Sequence, residues 1–376
     1  MTMEKAQLKN KNSRRSFIKS AGVSGIAGAL IATQSTASAA AIADSSIVRW
    51  RLASSFPKTL DTIYGSAEVF AKQVEIMSEG KFIISVHSGG ELVPPFGVFD
   101  AVSQGSVEAG ATAGYYYFGK NDALALDAAV PFGLNTRQMN AWMFDGNGLS
   151  LLRELFAGYN IINFPIGNTG AQMGGWYKKD ISSIASLQGL KIRVGGFAGK
   201  VLKMLGAVPQ NLPGGELYQA LEKGIIDGAE WVGPYDDLKL GLHKVTSHYL
   251  YPAWWEGSTQ LSLYINKNAF MKLPKSYQQI VEVASAFAHI DMTAKYDARN
   301  PDALKEIIAK GTITKLTPKP IMDAAYQASL ELYASIAKSN PQWKKIYTDY
   351  QKFQKNTVSW FKYAEHGFDS YMQNKL

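Results

Sequence analysis

Apolar positions change period several times along this chain, and each change predicts an element. Val48, Trp50 and Leu52 alternate with Arg49 and Arg51, a period of two that predicts a strand. Ile63, Ala67, Phe70, Val74 and Met77 then recur along one side of a predicted helix. Thr59 or Asp61 is placed to cap it and Gly80 to stop it. Phe82, Ile84 and Val86 return to a period of two and run into Gly89-Gly90. Strand and helix in alternation predict an α/β sheet protein. Far downstream, Ala324, Ala328, Leu332 and Ile336 predict a helix that Pro341 breaks. An aromatic, Lys-rich helix follows through Tyr347, Tyr350, Phe353, Trp360, Phe361 and Tyr363. It either packs on its own lobe or joins two copies of the chain.

One pattern occurs twice. Ala101-Val-Ser-Gln-Gly105-Ser-Val107-Glu108-Ala-Gly-Ala111 matches Ala220-Leu-Glu-Lys-Gly224-Ile-Ile226-Asp227-Gly-Ala-Glu230 in outline. Each has a helix end, a Gly stop suited to left-handed backbone, and a short strand entered through an acidic residue. Eleven residues can match by chance, or the chain can hold two similar βα lobes. In the second case Ala111-Thr112 and Glu230-Trp231 stand at strand ends facing a common crevice, where open α/β sheets take ligands.

The N-terminus decides the compartment. Ser13-Arg14-Arg15-Ser16-Phe17-Ile18-Lys19, an apolar run from Ala21 to Ala32 and Ala37-Ser38-Ala39 predict a twin-arginine export leader over residues 1–39, and hence a periplasmic protein. The apolar run is too short for a membrane span, which needs about 20 residues. Six Lys or Arg against one Glu in the leader leave only +3 of the chain's +8 for the rest, so no nucleic-acid partner or anionic membrane surface is expected. With no cysteine, disulfides, thiolate nucleophiles and Cys-ligated metals are excluded.

Several catalytic motifs fail. Val194-Gly195-Gly196-Phe197-Ala198-Gly199-Lys200 looks like a phosphate loop, but Val stands at both 194 and 201, where Gly and Ser or Thr are required. Phe197 breaks the dinucleotide spacing. His87, His243, His248, His289 and His366 form no H-E-x-x-H, and there is no G-x-S-x-G. What remains is polar groups among aromatics. Arg193 lies in the short predicted strand Lys191–Val194, which ends at a Gly-Gly turn, and could offer its planar fork to a carboxylate, or be a surface charge. Glu230 lies in Ala229-Glu230-Trp231-Val232 and Glu256 in Trp254-Trp255-Glu256-Gly257. Buried carboxylates need a partner, and two of them suit a hard cation among oxygen ligands. The alternative is that both reach past the aromatics to water.

Asn168-Thr169-Gly170-Ala171-Gln172, Leu187-Gln188-Gly189-Leu190-Lys191-Ile192-Arg193 and Gly224-Ile225-Ile226-Asp227-Gly228-Ala229-Glu230 resemble the periplasmic receptors of TRAP (tripartite ATP-independent) transporters, from about Val48 to the C-terminus. The resemblance implies a two-lobed, type II-like periplasmic binding fold with a ligand cleft between the lobes and long C-terminal helices. Lobe I is expected over 46–165 and 257–310, and lobe II over 166–256 and 311–376. Glu230-Trp231-Val232-Gly233-Pro234 with Trp254-Trp255-Glu256-Gly257 is similar to the branch that binds pyruvate-like 2-oxo acids or lactate with a cation.

In that branch the residue matching Arg193 grips the carboxylate. Those matching Gln172, Glu230, the Trp231 carbonyl and Glu256 hold sodium or calcium. Charge balance points the same way, because two glutamates would repel an acid unless a cation and Arg193 compensate them. Phe56, Tyr115 and Tyr116 are expected on the opposite wall, a tyrosine hydroxyl donating to the ligand. The expected partners are the small acid, a TRAP membrane permease and a homodimer mate at the C-terminal helices. An exported enzyme using Glu230 and Glu256 as an acid–base pair is the alternative in a different class, and an adhesive protein is a third.

Overall fold

The computed structural model describes residues 47–375; the leader expected at 1–39 lies outside them. Among the described residues there are eleven strands: β1 (Val48–Ser54), β2 (Phe82–His87), β3 (Ala109–Thr112), β4 (Ile161–Asn168), β5 (Trp176–Tyr177), β6 (Lys191–Arg193), β7 (Val208–Gln210), β8 (Gly228–Ala229), β9 (His248–Tyr251), β10 (Gln260–Asn266) and β11 (Ile313–Leu316). They form two sheets, ordered β2-β1-β3-β10-β4 and β11-β9-β5-β8-β6-β7. In the first, β1 pairs parallel with β2 and β3, and β10 is antiparallel to β3. In the second, β6 pairs parallel with β7 and β8, and β5 is antiparallel to β8. Both sheets therefore share a parallel trio, in which the first strand of the three sits in the middle, flanked by one antiparallel strand.

The duplicated pattern in the sequence is the last crossover of each trio. Gly105 and Gly224 both adopt positive φ, +75° and +70°. Their followers make the same helix-ending bonds, Ser106 N–H to Ala101 O at 2.8 Å and Ile225 N–H to Ala220 O at 2.9 Å. A fold of two mixed α/β sheets, joined by residues that cross between them, is what the alternation and the repeat imply. No helix among the described residues is long and apolar enough to cross a membrane.

One local expectation differs from the structure. The first helix begins at Gly65 with no side-chain cap. Neither Thr59 nor Asp61 caps it, and Asp61 instead pairs with Lys239 and Arg299, so tertiary partners take the carboxylate that could have capped the helix. The C-terminal helices run Lys319–Ser339, Pro341–Tyr363 and Glu365–Gln373, the break falling at Pro341 as expected. The helix Pro341–Tyr363 meets residues of both sides, its Trp343 ring lying 5.2 Å from that of Phe197 after β6. Trp142 Nε1 donates to Asp349, Leu134 N–H donates to the Tyr350 hydroxyl at 2.6 Å, and Gln354 donates to Phe132 O.

Buried carboxylates are a thermodynamic feature of this core. Asp127 is fully buried, accepting from Asn163 at 3.0 Å and from the Tyr264 hydroxyl at 2.8 Å. Burial pushes its carboxyl up to about 7, against the opposing pull of those hydrogen bonds. The unfolded group titrates near 3.9. Between those values the folded state holds the proton more tightly, so stability falls as pH rises from about 4 to about 7. Asp127→Asn should flatten part of that slope, by up to about 4 kcal/mol, in melting temperatures recorded across pH. An unchanged slope would show that Asp127 is ionised throughout. The substitution keeps the side chain's shape, and its remaining Oδ1 can still accept from Asn163 Nδ2.

Candidate functional site

Arg193 is 2 % exposed at the end of β6, one strand from Ala229 at the end of β8, and this pairing sets Arg193 beside Glu230. Its Nε donates to Leu212 O at 3.1 Å, and Nη1 donates to both the carbonyl and, at 3.1 Å, the Oε2 of Glu230. The Trp231 ring lies 5.0 Å from the guanidinium carbon. Three of the five N–H groups are thus committed, and Nη2 is the end without an acceptor among the described residues. The arginine is neither a surface charge nor a wholly free fork.

Glu230 and Glu256 are 1 % and 3 % exposed, so neither reaches water past the aromatics. Glu230 Oε2 also accepts from Gly195 N–H at 3.3 Å, while its Oε1 is buried with no partner. Glu256 Oε2 accepts from the Thr259 hydroxyl. Gln172 is tied in through its backbone N–H to Glu256 O at 3.2 Å. Its Nε2 donates to the hydroxyls of Thr169 and Thr259, both at 3.1 Å, and this fixes Oε1 as a buried acceptor with no donor. Burial raises Glu230 to about 7, against the pull of Arg193, and burial followed by repulsion from Glu230 raises Glu256 well above its ordinary value. Buried acceptors with no donor are costly unless something positive meets them. The donor set of two carboxylates, an amide oxygen and the Trp231 carbonyl is the chemistry of a hard cation such as sodium or calcium. No cluster of three or more His, Cys, Asp or Glu exists among the described residues, so a cation here must draw on neutral oxygens as well.

The opposite wall comes from the segment after β3. Tyr115 and Tyr116 line a small cavity with Thr169, Gln172, Trp231 and Thr259. Neither hydroxyl has a hydrogen-bond partner among the described residues. Phe56 is fully buried, with its ring 6.4 Å from both Tyr116 and Trp231. Tyr117 turns into the core, its hydroxyl at 2.8 Å from Thr112 and accepting from Phe99 N–H. A larger cavity of about 770 Å³ lies elsewhere, between the last two long helices, and has no carboxylate in its lining.

Thr169 and Thr259 were not singled out in the sequence as parts of the site. The two threonines lie 90 residues apart and show no local pattern. Asp237 sits in the helix Pro234–Leu240, as its position after Pro234 implies. It is buried there, accepting from Trp176 Nε1 at 2.8 Å, the Tyr249 hydroxyl at 2.7 Å and Val232 N–H at 3.3 Å. It thereby pins the loop that carries Glu230 and Trp231.

Two α/β sheets of like topology, with a buried polar cluster where their strand ends meet, define a two-lobed solute-binding protein with a ligand cleft. The chain belongs to the bacterial extracellular solute-binding protein family 7, whose profile matches residues 53–340. It is 44% identical over 360 residues, 95% of this chain and 98% of the other, to a monocarboxylate 2-oxoacid-binding periplasmic protein of Nostoc sp.. A TRAP transporter solute-binding protein of Bordetella bronchiseptica, solved with calcium and picolinate in one site of a mixed-occupancy dimer, superposes with a TM-score of 0.87. That likeness has 49% identity and covers 88% of this chain and 98% of that one. A TRAP periplasmic solute-binding protein of Pseudoalteromonas atlantica with bound sodium and pyruvate superposes with a TM-score of 0.83 at 37% identity, covering 86% and 98%. The family consists of receptors, not enzymes, and the acid–base alternative for Glu230 and Glu256 gains no support.

Proposed function

We propose that this chain is the extracytoplasmic receptor of a TRAP transporter, binding a small monocarboxylic 2-oxo acid such as pyruvate together with sodium or calcium and handing it to a membrane permease. Lactate and other 2-hydroxy acids keep the carboxylate and an oxygen on the neighbouring carbon and belong to the same ligand class. The observation that carries this reading is the pair of buried acceptors without a donor among the described residues, Gln172 Oε1 and Glu230 Oε1, beside an arginine whose Nη2 has no acceptor among them. The acceptors call for a cation and the arginine for a carboxylate. In this reading Gln172, Glu230, Glu256 and the Trp231 carbonyl hold the cation. Arg193 takes the ligand carboxylate over the Trp231 ring, while Tyr115, Tyr116 and Phe56 close the pocket from the other sheet, with a tyrosine hydroxyl donating to the ligand. The two sheets act as lobes that close on the ligand by hinge motion.

Export by the twin-arginine route follows from the leader motif. Pairing of two copies through the last helices is supported by their exposed aromatics, among them Trp360, Tyr363 and Phe368.

A thermal-shift screen of 2-oxo and 2-hydroxy acids, with sodium and calcium varied independently, tests the function. At a hundred times its dissociation constant the right acid should stabilise by about 2.7 kcal/mol, and only with a cation present. No shift from any such acid with either ion would sink the proposal.

A further inference from the structure

We propose that the segment Gly195–Lys200, a failed phosphate loop by sequence, is a latch that sets how long the closed receptor keeps its ligand; this rests on the receptor reading above. The segment follows β6 of the second sheet and meets the stretch after β3 of the first, while Phe197 also packs on Trp343 and Tyr333 of the C-terminal helices. The Tyr115 ring lies on the Gly195-Gly196 turn. A Cβ on Gly195 would come within 3.0 Å of Tyr115 Cε2, and one on Gly196 within 3.0 Å of Tyr115 Cγ. Gly196 also has φ +57°, which a side chain would strain. One turn along, the Phe197 ring centroid is 5.8 Å from that of Phe118. Lys200 closes the contact. Its ammonium sits 4.8 Å from the Phe118 centroid and 4.9 Å from the Phe197 centroid, and it pairs with Asp122.

Exposure grades outward through this joint, from Arg193 at 2 % and Tyr115 at 7 % to 32 % for the Lys200 side chain. The latch therefore stands between the buried cluster and solvent. It is also wired to the cluster, since Gly195 N–H donates to the same Glu230 oxygen that accepts from Arg193 Nη1. Opening the cleft must separate the ion pair and withdraw the ammonium from an aromatic face. Those interactions form after the ligand has entered, so they slow its departure more than its arrival.

The test is stopped-flow tryptophan fluorescence of pyruvate release from the full-length protein loaded with calcium or sodium. The variants are Lys200→Met, Asp122→Asn and the double. Lys200→Met should release pyruvate about tenfold faster and Asp122→Asn about threefold faster, with association changed less than twofold, and the double should be no faster than Lys200→Met alone. Melting of the ligand-free protein should be unchanged while the pyruvate-induced shift shrinks, a split that a merely structural contact would not give. Release rates equal to the parent's, or singles whose effects add in the double, would overturn the latch. A parent that gives no response to pyruvate with either cation would instead overturn the receptor reading itself.

Discussion

Arg193→Met should weaken binding of pyruvate or its congeners by about a thousandfold in calorimetry, close to 4 kcal/mol. The size follows from burial. At 2 % exposure the guanidinium is compensated by Glu230 rather than by water, so its loss removes the ligand's cationic partner and leaves a buried carboxylate unpaired. Arg193→Lys should recover only about tenfold of the loss. One compact ammonium cannot serve Leu212 O, Glu230 O, Glu230 Oε2 and a ligand together, whereas the guanidinium serves the first three and keeps Nη2 spare. Combining Arg193→Met with Glu230→Gln removes the unpaired charge, so it should restore melting temperature without restoring affinity. Affinity within tenfold of the parent's in Arg193→Met would show that the carboxylate is held elsewhere.

That degree of detail was only partly legible in the sequence. The alternation at Val48–Leu52 and Phe82–Val86 was decisive because each strand is long enough to show a period and has one solvated face. In the second sheet, β5 and β8 are two residues long and β6 and β7 three, too short for any period to be read. Arg193 and Glu230 stood out as charges among apolar neighbours, and the repeat placed Glu230 at a strand end. Their mutual bonds did not show, because β6–β8 pairing brings together residues 37 apart. Thr169 and Thr259, hydrogen-bonded to each other, together orient Gln172, and a threonine in a loop carries no signal of that kind. The duplicated crossover was legible for a physical reason: a Gly in left-handed backbone followed by a parallel strand constrains several residues at once, and both copies obey the constraint.

Removal of the cation should also weaken binding strongly. Protein dialysed against chelator into a choline buffer should bind pyruvate at least about a hundredfold more weakly, since like charges facing each other in a dry site cost several kcal/mol. Glu230→Gln and Glu256→Gln should each weaken the cation and, through it, the acid. The pH dependence has a definite sign. An ordinary glutamate titrates near 4.5, and Glu230 in the metal-free protein is pushed up to about 7 by burial. Between those values the folded, metal-free site carries a proton that an entering cation must expel. Cation affinity should therefore fall as pH drops from 8 to 6. At pH 6 its binding should release protons, read as a heat that changes with the ionisation enthalpy of the buffer. Above pH 8 both the proton release and the buffer dependence from Glu230 should fade. Glu256 is also raised, by burial and then by Glu230, so a residual release that persists above pH 8 and vanishes in Glu256→Gln belongs to it. Undiminished affinity in choline, with no proton release at pH 6, would mean that the two glutamates stay protonated and neutral in the closed site. A cation would then have no part in holding the ligand.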